Sequence, residues 1–201
     1  MTEISRTMAL NMQEDVWKKD PEWFRPWFNT PAYHILYGHR SEKEAQDLIG
    51  NLSDQACFPI PGRALDAGCG AGRHARALGE KGWQVQAFDL SQGSIDMAKE
   101  ITKNPNVNFK VMDLRDLPQM TTWEGQFDLI TNFFTSIGYF AALDHQRSII
   151  RGFQLCLRPG GSLLIDYLNA RQVKSKLVDH EMVYREGIEF KIHRRIREGW
   201  I

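Results

Sequence analysis

Three alternate glycines, Gly68, Gly70 and Gly72, follow a short apolar run that starts after Arg63 and contains Asp66. A helix-forming segment begins within the glycines, as is typical of a strand that passes through a tight turn into a helix. Glycine suits such a turn because the backbone can adopt conformations closed to residues with a Cβ, and because a ligand can then approach the main chain closely. The stretch therefore predicts a loop that cradles a cofactor.

The spacing of the glycines indicates which classes of cofactor the loop does not fit. A dinucleotide-binding loop needs the pattern G-x-G-x-x-G, and its third glycine would fall at the position of Arg73. The pattern here is G-x-G-x-G, and no Gly-Lys-Ser or Gly-Lys-Thr follows it as in a phosphate-binding P-loop. A nicotinamide-dependent oxidoreductase is disfavoured on this ground and is kept as an alternative.

Acidic residues close the next two predicted strands. Asp89 ends the run Val-Gln-Ala-Phe-Asp, where doubly wound folds place an acid against ribose hydroxyls, and its two oxygens can accept from a vicinal diol. Asp113 closes the following strand, where a carboxylate can accept from an adenine amino group while the Leu114 backbone NH meets a ring nitrogen. Acids at successive strand ends thus predict a nucleoside-binding edge.

An aromatic-rich arm precedes these elements, between residues 15 and 40. Three prolines interrupt it, so we expect one or two short helices with turns between them. Tyr33, Tyr37 and Arg40 fall on roughly one helical face, from which they would close over a cofactor and offer a guanidinium to a carboxylate. Simple packing of the arm on an edge of the core is the alternative, and both roles can hold together.

Alternating strands and helices must position these side chains, and the hydrophobic pattern predicts them. Helices are expected over 42–52 (N-capped by Ser41), 71–81, 91–103 and 143–157, and strands over 64–67, 84–88, 107–112, 127–133 and 162–168. Such an alternation implies right-handed crossovers and a parallel sheet covered on both faces. The predicted fold class is therefore α/β, a doubly wound parallel sheet whose ligand lies at the carboxyl ends of the strands.

Three regions are expected along the chain. They are an N-terminal helical and aromatic cap over 1–52, a cofactor-binding core over 53–170 and a C-terminal segment over 171–201. Apolar residues alternate on both sides of Glu186 and Gly187, which predicts a β-hairpin in the last region. We expect this hairpin to form part of a substrate lid.

Composition excludes several classes of protein. The 201 residues include 25 Lys plus Arg and 25 Asp plus Glu, so no overall field attracts a phosphate backbone and no nucleic-acid partner is expected. The three cysteines are odd in number and lack metal-ligand spacing, which predicts reduced thiols and no metal site. Neither a signal peptide nor a membrane span is readable. We expect a cytoplasmic monomer or homodimer with a small-molecule partner.

In combination, the motifs resemble those of the class I S-adenosylmethionine-dependent methyltransferases. They are Leu-Asp-Ala-Gly-Cys-Gly-Ala-Gly-Arg, the acid at Asp89, Asp113 with Leu114, Phe-Asp-Leu-Ile-Thr-Asn, and Leu-Arg-Pro-Gly-Gly. The resemblance covers residues 63–169, about half of the chain, and the Pro-Ala-Tyr-His-Ile-Leu-Tyr-Gly-His-Arg segment also resembles the arm of small bacterial members. It implies a Rossmann-like methyltransferase fold with S-adenosylmethionine as the cofactor.

The resemblance also implies roles for particular residues. The loop at Gly68 and Gly70 would face the methionine part of the cofactor, and Asp66, just before the loop, belongs to the same motif. Asp89 would bind ribose and Asp113 adenine, by position. At the end of the fourth strand Asn132 with Phe133 would face the transferred methyl group, and Leu90 would pack on the adenine ring. The further helix and antiparallel strand pair that usually complete the family's sheet are not recognisable before Ile201. Either the hairpin is an insertion within which the chain is truncated, or the end of the chain is reorganised, and truncation is favoured.

The expected reaction is methyl transfer to a nitrogen or oxygen of a small molecule by in-line displacement. A sulfonium methyl is already electrophilic, so alignment and exclusion of water can supply ~7–11 kcal/mol of the barrier, and no catalytic triad is needed. An acceptor that must lose a proton needs a general base, for which four candidates stay open: His34, His39, Tyr139 and His145. A non-catalytic S-adenosylmethionine-binding module is the alternative function.

Overall fold

The computed structural model describes residues 20–55, 58–140 and 142–196. The expectations made for residues 15–19 of the arm, for Cys57 and for residues 197–201 lie outside the described residues. Within the described ranges no helix is both long enough and apolar enough to span a membrane.

Seven helices and seven strands are present in the described ranges, together with three short 3-10 helices at 114–119, 121–123 and 136–139. The helices are α1 (Phe24–Phe28), α2 (Pro31–Tyr37), α3 (Glu42–Ser53), α4 (Arg73–Glu80), α5 (Gln92–Ile101), α6 (Leu143–Cys156) and α7 (Ala170–Ser175). The strands are β1 (Arg63–Ala67), β2 (Gln84–Asp89), β3 (Val107–Val111), β4 (Phe127–Asn132), β5 (Leu157–Ile165), β6 (His180–Arg185) and β7 (Ile188–His193).

Five of the strands form one parallel sheet in the order β3-β2-β1-β4-β5. The chain runs outward from β1 through β2 to β3 and then crosses back to β4 on the other side of β1. In such sheets a crevice opens at the carboxyl ends of the strands where the order reverses, here between β1 and β4. The predicted doubly wound α/β fold is confirmed.

Side chains from alternate positions of the central strands fill two hydrophobic clusters, as expected for a sheet covered on both faces. One cluster contains Ala64 and Leu129 together with Ile49 of α3 and Leu78 of α4. The other contains Leu65, Phe88 and Ile130 together with Ile149 and Phe153 of α6 and Phe24 of α1. The aromatic arm therefore packs into the same core as the helix that precedes β5.

The last two strands form an antiparallel hairpin, β6–β7, separate from the main sheet. Its turn is made by Glu186 and Gly187, both with positive φ (49° and 76°), so the predicted hairpin is confirmed. Phe190 of the hairpin is buried against Ala32 and Leu36 of α2. The hairpin thus packs against the arm.

Several predicted boundaries were wrong; helix α5, for example, ends at Ile101 rather than at residue 103. Helix α4 begins at Arg73 rather than at residue 71, because Gly72 has a left-handed φ of 80° and acts as its N-cap. Strand β5 spans Leu157–Ile165 rather than 162–168. Phe127 pairs with Leu157 and Leu129 pairs with Ser162, so the Arg-Pro-Gly-Gly turn is a bulge inside the strand rather than a break before it.

Candidate cofactor and active site

The glycine loop follows β1 and has three left-handed residues, Gly68, Gly70 and Gly72, with φ of 77°, 54° and 80°. A Cβ on Gly68 would lie 2.6 Å from Ser136 Oγ, and a Cβ on Gly72 would lie 2.5 Å from Phe109 Cε1. A Cβ on Gly70 would meet no atom within 4 Å. The outer two glycines are therefore needed for packing, and the middle one leaves its backbone open to a ligand.

Asp89, at the end of β2, fastens this loop. Its Oδ2 accepts from the Gly70 backbone NH at 2.8 Å, and its Oδ1 accepts from the Ser91 backbone NH at 2.9 Å. Burial raises the pKa of Asp89, and these backbone hydrogen bonds oppose that rise. A carboxylate offers about four lone-pair sites, so Asp89 keeps acceptor capacity for a diol.

A cavity of about 790 Å³ lies at the carboxyl ends of the strands, between the glycine loop and the arm. Twelve of the predicted site residues line it: Tyr33, His34, Tyr37, Arg40, Gly68, Gly70, Asp89, Leu90, Asp113, Leu114, Phe133 and Tyr139. The fold thus brings together residues from the arm and from the ends of four strands.

Four other predicted residues lie outside this lining. Asp66 and Asn132 are buried beneath the loop, where Thr131 Oγ1 donates to Asp66 at 2.9 Å and Asn132 Nδ2 donates to the Ala67 carbonyl at 2.7 Å. Burial raises the pKa of Asp66 to about 7, with the Thr131 hydrogen bond opposing. Both side chains hold β4 against β1. The remaining two, His39 and His145, are exposed and do not line the cavity.

The carboxylate of Asp113 is surrounded by guanidinium groups. Arg115 donates to it from its backbone NH (2.8 Å), from Nε (3.1 Å) and from Nη2 (2.7 Å), and Arg25 of α1 donates from Nη2 (2.5 Å). Burial alone would raise the pKa of Asp113, but the hydrogen bonds from Arg115 and the two positive charges leave it below its ordinary value. Asp113 is therefore ionised and faces the cavity from the end of β3.

Phe134, in the aromatic segment that the sequence indicates as a substrate wall, stands directly after β4 with a left-handed φ of 58°, and Thr135 follows with 56°. Such conformations are costly for residues with a Cβ and cluster at functional sites. Asp166 holds this turn, since its Oδ2 accepts from the Phe134 NH at 3.3 Å and its carbonyl accepts from the Thr135 NH at 3.2 Å. All three residues line the cavity.

Two arginines pack on the ring of Phe134. The guanidinium carbons of Arg40 and Arg73 lie 4.0 Å and 4.3 Å from its centroid, within the range of a cation–π contact. Glu44 contacts both, at 3.6 Å from Arg40 and 2.9 Å from Arg73. Arg40 Nε is buried and has no hydrogen-bond partner among the described residues. Glu42 also acts on Arg73 but is paired with Arg76, so the net charge of this group of side chains is positive, which suits an anion.

His74 also packs on Phe134, next to the two arginines, and contributes an uncharged ring. It is buried and stacks on Phe134, with the ring centroids 5.6 Å apart and the planes at 30°. Burial lowers its pKa to about 3, and the charges of Arg73 and Arg40 act in the same direction. The imidazole is therefore uncharged near neutral pH. The sequence signal for Arg73 and His74 was their position at the first turn of the helix after the glycine loop.

The arm closes the cavity through aromatic contacts. Tyr139 lies 4.9 Å from Phe28, 5.9 Å from Phe24 and 5.9 Å from Trp23, measured between ring centroids. Tyr33 in turn contacts Phe28 at 5.1 Å. Burial raises the pKa of Tyr139 to about 12 and also raises that of Tyr33. Both phenols therefore stay protonated at neutral pH, as hydrogen-bonding groups rather than bases.

The described residues contain no evident metal site. No group of three or more His, Cys, Asp or Glu side chains is placed there to hold a metal ion.

Comparison with known proteins agrees with this geometry. Residues 64–161, which run from β1 to the bulge in β5, match a family described as "Methyltransferase domain". The chain carries a class I methyltransferase domain. The resemblance drawn from the sequence motifs is thereby confirmed, and the glycine loop and both strand-end acids, Asp89 and Asp113, fall within the matched residues.

Curated relatives support the methyltransferase domain. Over 135 residues the chain is 35% identical to the cypemycin N-terminal methyltransferase of a Streptomyces species, a match that covers 61% of this chain and 53% of the relative. Over 116 residues it is 32% identical to a ubiquinone biosynthesis O-methyltransferase of Xanthomonas campestris pv. campestris, covering 55% of this chain and 45% of the relative. The chain spans about half the length of the curated relatives it matches.

A solved structure supports the fold of the methyltransferase domain. It is an amino pentose methyltransferase of Micromonospora echinaspora, determined with S-adenosylmethionine bound. The TM-score is 0.56 at 23% identity, with 78% of this chain and 65% of that chain covered. At this identity the likeness concerns the fold alone.

Proposed function

We propose that this chain binds S-adenosylmethionine in the cavity and transfers its methyl group to a small-molecule nucleophile. The observation that carries the proposal is the hydrogen bond from Gly70 to Asp89. This hydrogen bond places the open backbone of the glycine loop next to a carboxylate that can still accept hydrogen bonds. The arrangement suits a ligand in which an amino acid is joined to a ribose.

The methionine end of the cofactor is assigned to the side of the cavity with Arg40 and Arg73. A carboxylate placed there would meet two guanidinium groups that share only Glu44. Gly68 and the open backbone of Gly70 line the same cavity. Tyr33 and Tyr37 of the arm would cover this end.

The nucleoside end is assigned to the ends of β2 and β3. Asp89 would accept from the ribose hydroxyls, Leu90 would pack on the adenine ring, and the Leu114 backbone NH would meet a ring nitrogen. Asp113 would accept from the adenine amino group. All four residues line the cavity.

When bound, S-adenosylmethionine would supply an electrophilic methyl carbon to a lone pair of the acceptor, the electron pair of the broken carbon–sulfur bond would stay on sulfur, and the acceptor would lose a proton. The chain's contribution is alignment and exclusion of water by Phe133, Phe134 and Tyr139. Of the four candidate bases, His34 and Tyr139 line the cavity, and since Tyr139 keeps its proton at neutral pH, His34 is the remaining base.

The acceptor atom is proposed to be nitrogen or oxygen. The two curated relatives carry both chemistries in their names, one as an N-terminal and one as an O-methyltransferase. The cavity volume of about 790 Å³ holds the cofactor together with a compact acceptor. A small molecule or the end of a peptide would fit beside Ser136, Tyr139 and Tyr167 in the lining.

The experiment for this function has two parts. Calorimetry with S-adenosylhomocysteine, with NAD as the comparison ligand, should show one-to-one binding of S-adenosylhomocysteine alone; NAD binding without it would favour an oxidoreductase. Turnover of S-adenosylmethionine is then measured against a panel of amines and phenols. Binding without turnover on any acceptor would favour a non-catalytic module.

A further inference from the structure

The acceptor capacity of Asp113 is fully used in this structure. Its Oδ1 accepts from the backbone NH and Nε of Arg115, and its Oδ2 accepts from Nη2 of Arg115 and Nη2 of Arg25. A carboxylate has about four lone-pair sites, and four donors occupy them. An adenine amino group can therefore reach this carboxylate only if one donor withdraws.

The four donors come from two parts of the chain. Arg115 is two residues from Asp113 and also donates to both oxygens of Glu22, at 2.6 Å and 2.7 Å. Arg25 belongs to α1 of the arm, and its Nε donates to the same Glu22 at 2.5 Å. The arm is thus fastened to the end of β3 at two points, one of which is the carboxylate assigned to adenine.

Arg25 is the donor that can withdraw at least cost. It makes a single hydrogen bond to Asp113, its side chain is 43% exposed, and Glu22 would still pair with it after release. Arg115 makes three hydrogen bonds to Asp113, one of them from the backbone, and its side chain is only 20% exposed.

We propose that Arg25 and the adenine amino group compete for one lone-pair site of Asp113, so that Arg25 latches the arm over the cavity and lowers cofactor affinity. This inference rests on the proposed function, since it takes the nucleoside end of the cofactor to lie at β3. Cofactor binding then releases Arg25 to Glu22 and to solvent, and departure of the cofactor allows the latch to form again.

The expected change in cofactor affinity follows from the solvent exposure of the ion pair between Arg25 and Asp113. Half-exposed ion pairs change equilibria by factors of roughly two to five, and Asp113 itself is only 7% exposed, which places this pair at the upper end of that range. Removal of the Arg25 guanidinium should therefore tighten S-adenosylhomocysteine binding by roughly two- to fivefold.

The test measures by calorimetry the affinity of two variants for each of two ligands. The variants are Arg25→Met and, as the matched control, Arg147→Met, which removes the same charge from an exposed pair with Asp144 on α6. The ligands are S-adenosylhomocysteine and its analogue with hydrogen in place of the adenine amino group. Arg25→Met should tighten the first ligand and leave the second unchanged, and Arg147→Met should change neither.

Two results would overturn the competition. An equal shift for both ligands in Arg25→Met would mean that Arg25 acts only through packing of the arm, and no shift for either would mean that it does not oppose binding. Failure of the wild-type protein to bind S-adenosylhomocysteine at all would instead remove the proposed function on which the competition rests.

Hydrogen exchange in the ligand-free protein tests the latch without any cofactor. Amides of residues 24–37 should exchange faster in Arg25→Met than in wild type, whereas Arg147→Met should match wild type. Equal exchange in all three proteins would show that the guanidinium does not hold the arm.

Discussion

The backbone NH of Gly70 donates to the carboxylate of Asp89 at 2.8 Å, which ties the second glycine of the loop to the end of the neighbouring strand. One carboxylate therefore both shapes the loop and faces the cavity. Substitutions in the loop and at the strand end are expected to affect the same ligand, but for different physical reasons.

Gly68→Ala should destabilise the fold. A Cβ there would lie 2.6 Å from Ser136 Oγ and 2.8 Å from Ser136 Cβ, in a backbone with φ of 77°. We expect a loss of about 2–4 kcal/mol in the free energy of unfolding in urea, from the strained φ and the clash together. Gly70→Ala is the control, because its Cβ meets nothing within 4 Å and it should lose only about 1–2 kcal/mol. Equal losses would contradict the role of Ser136.

Arg40→Met should weaken binding of S-adenosylhomocysteine by roughly 10- to 100-fold, as expected for one hydrogen bond between charged groups. Binding of 5′-methylthioadenosine, which lacks the amino-acid carboxylate, should not change. Calorimetry with both ligands therefore shows whether Arg40 binds the carboxylate or the nucleoside. A similar loss for both would place Arg40 at the nucleoside instead of the carboxylate.

His74 should make stability fall in acid. Burial lowers its pKa from 6.5 to about 3 in the folded protein, so between these values the unfolded chain binds a proton that the folded chain does not. The free energy of unfolding therefore falls as the pH drops through this window, by up to about 1.4 kcal/mol per pH unit.

The variant His74→Gln isolates this contribution. The advantage of wild type over the variant, measured by urea unfolding, should shrink as the pH is lowered from 7 to 4. Asp66, whose pKa is raised to about 7, changes stability in the opposite direction, but it is present in both proteins and cancels in the difference. A constant difference across this range would show that the pKa of His74 is the same in the folded and unfolded states.

The alternation of strands and helices along the chain, and the acids at the strand ends, were predictable from the sequence, because hydrophobic periodicity and glycine spacing are local signals. Asp89 and Asp113 therefore lie at the edge where they were expected. The bulge in β5 was not predictable, since Pro159 and Gly160 indicate a turn whether or not Leu157 pairs with β4. The division of the chain at residues 52 and 170 stays a prediction.

Local sequence patterns could not predict which residues distant in the sequence would contact one another in the site. Arg25 reaches Asp113 across 88 positions, and no spacing rule connects two such residues. Phe134 is a bulky residue with positive φ, which propensity argues against, and its long-range contacts with Arg40, Arg73 and Asp166 help to hold it there. Such departures from local preference are expected at functional sites.

The most direct test of the account is calorimetric titration of S-adenosylhomocysteine into wild type, Asp89→Ala and Asp144→Ala. Asp144 is an exposed acid on α6 and serves as the matched control. We predict one-to-one binding by wild type and Asp144→Ala, and no measurable binding by Asp89→Ala with its fold retained by circular dichroism. Unchanged affinity in Asp89→Ala would contradict the assignment of the cavity to this cofactor.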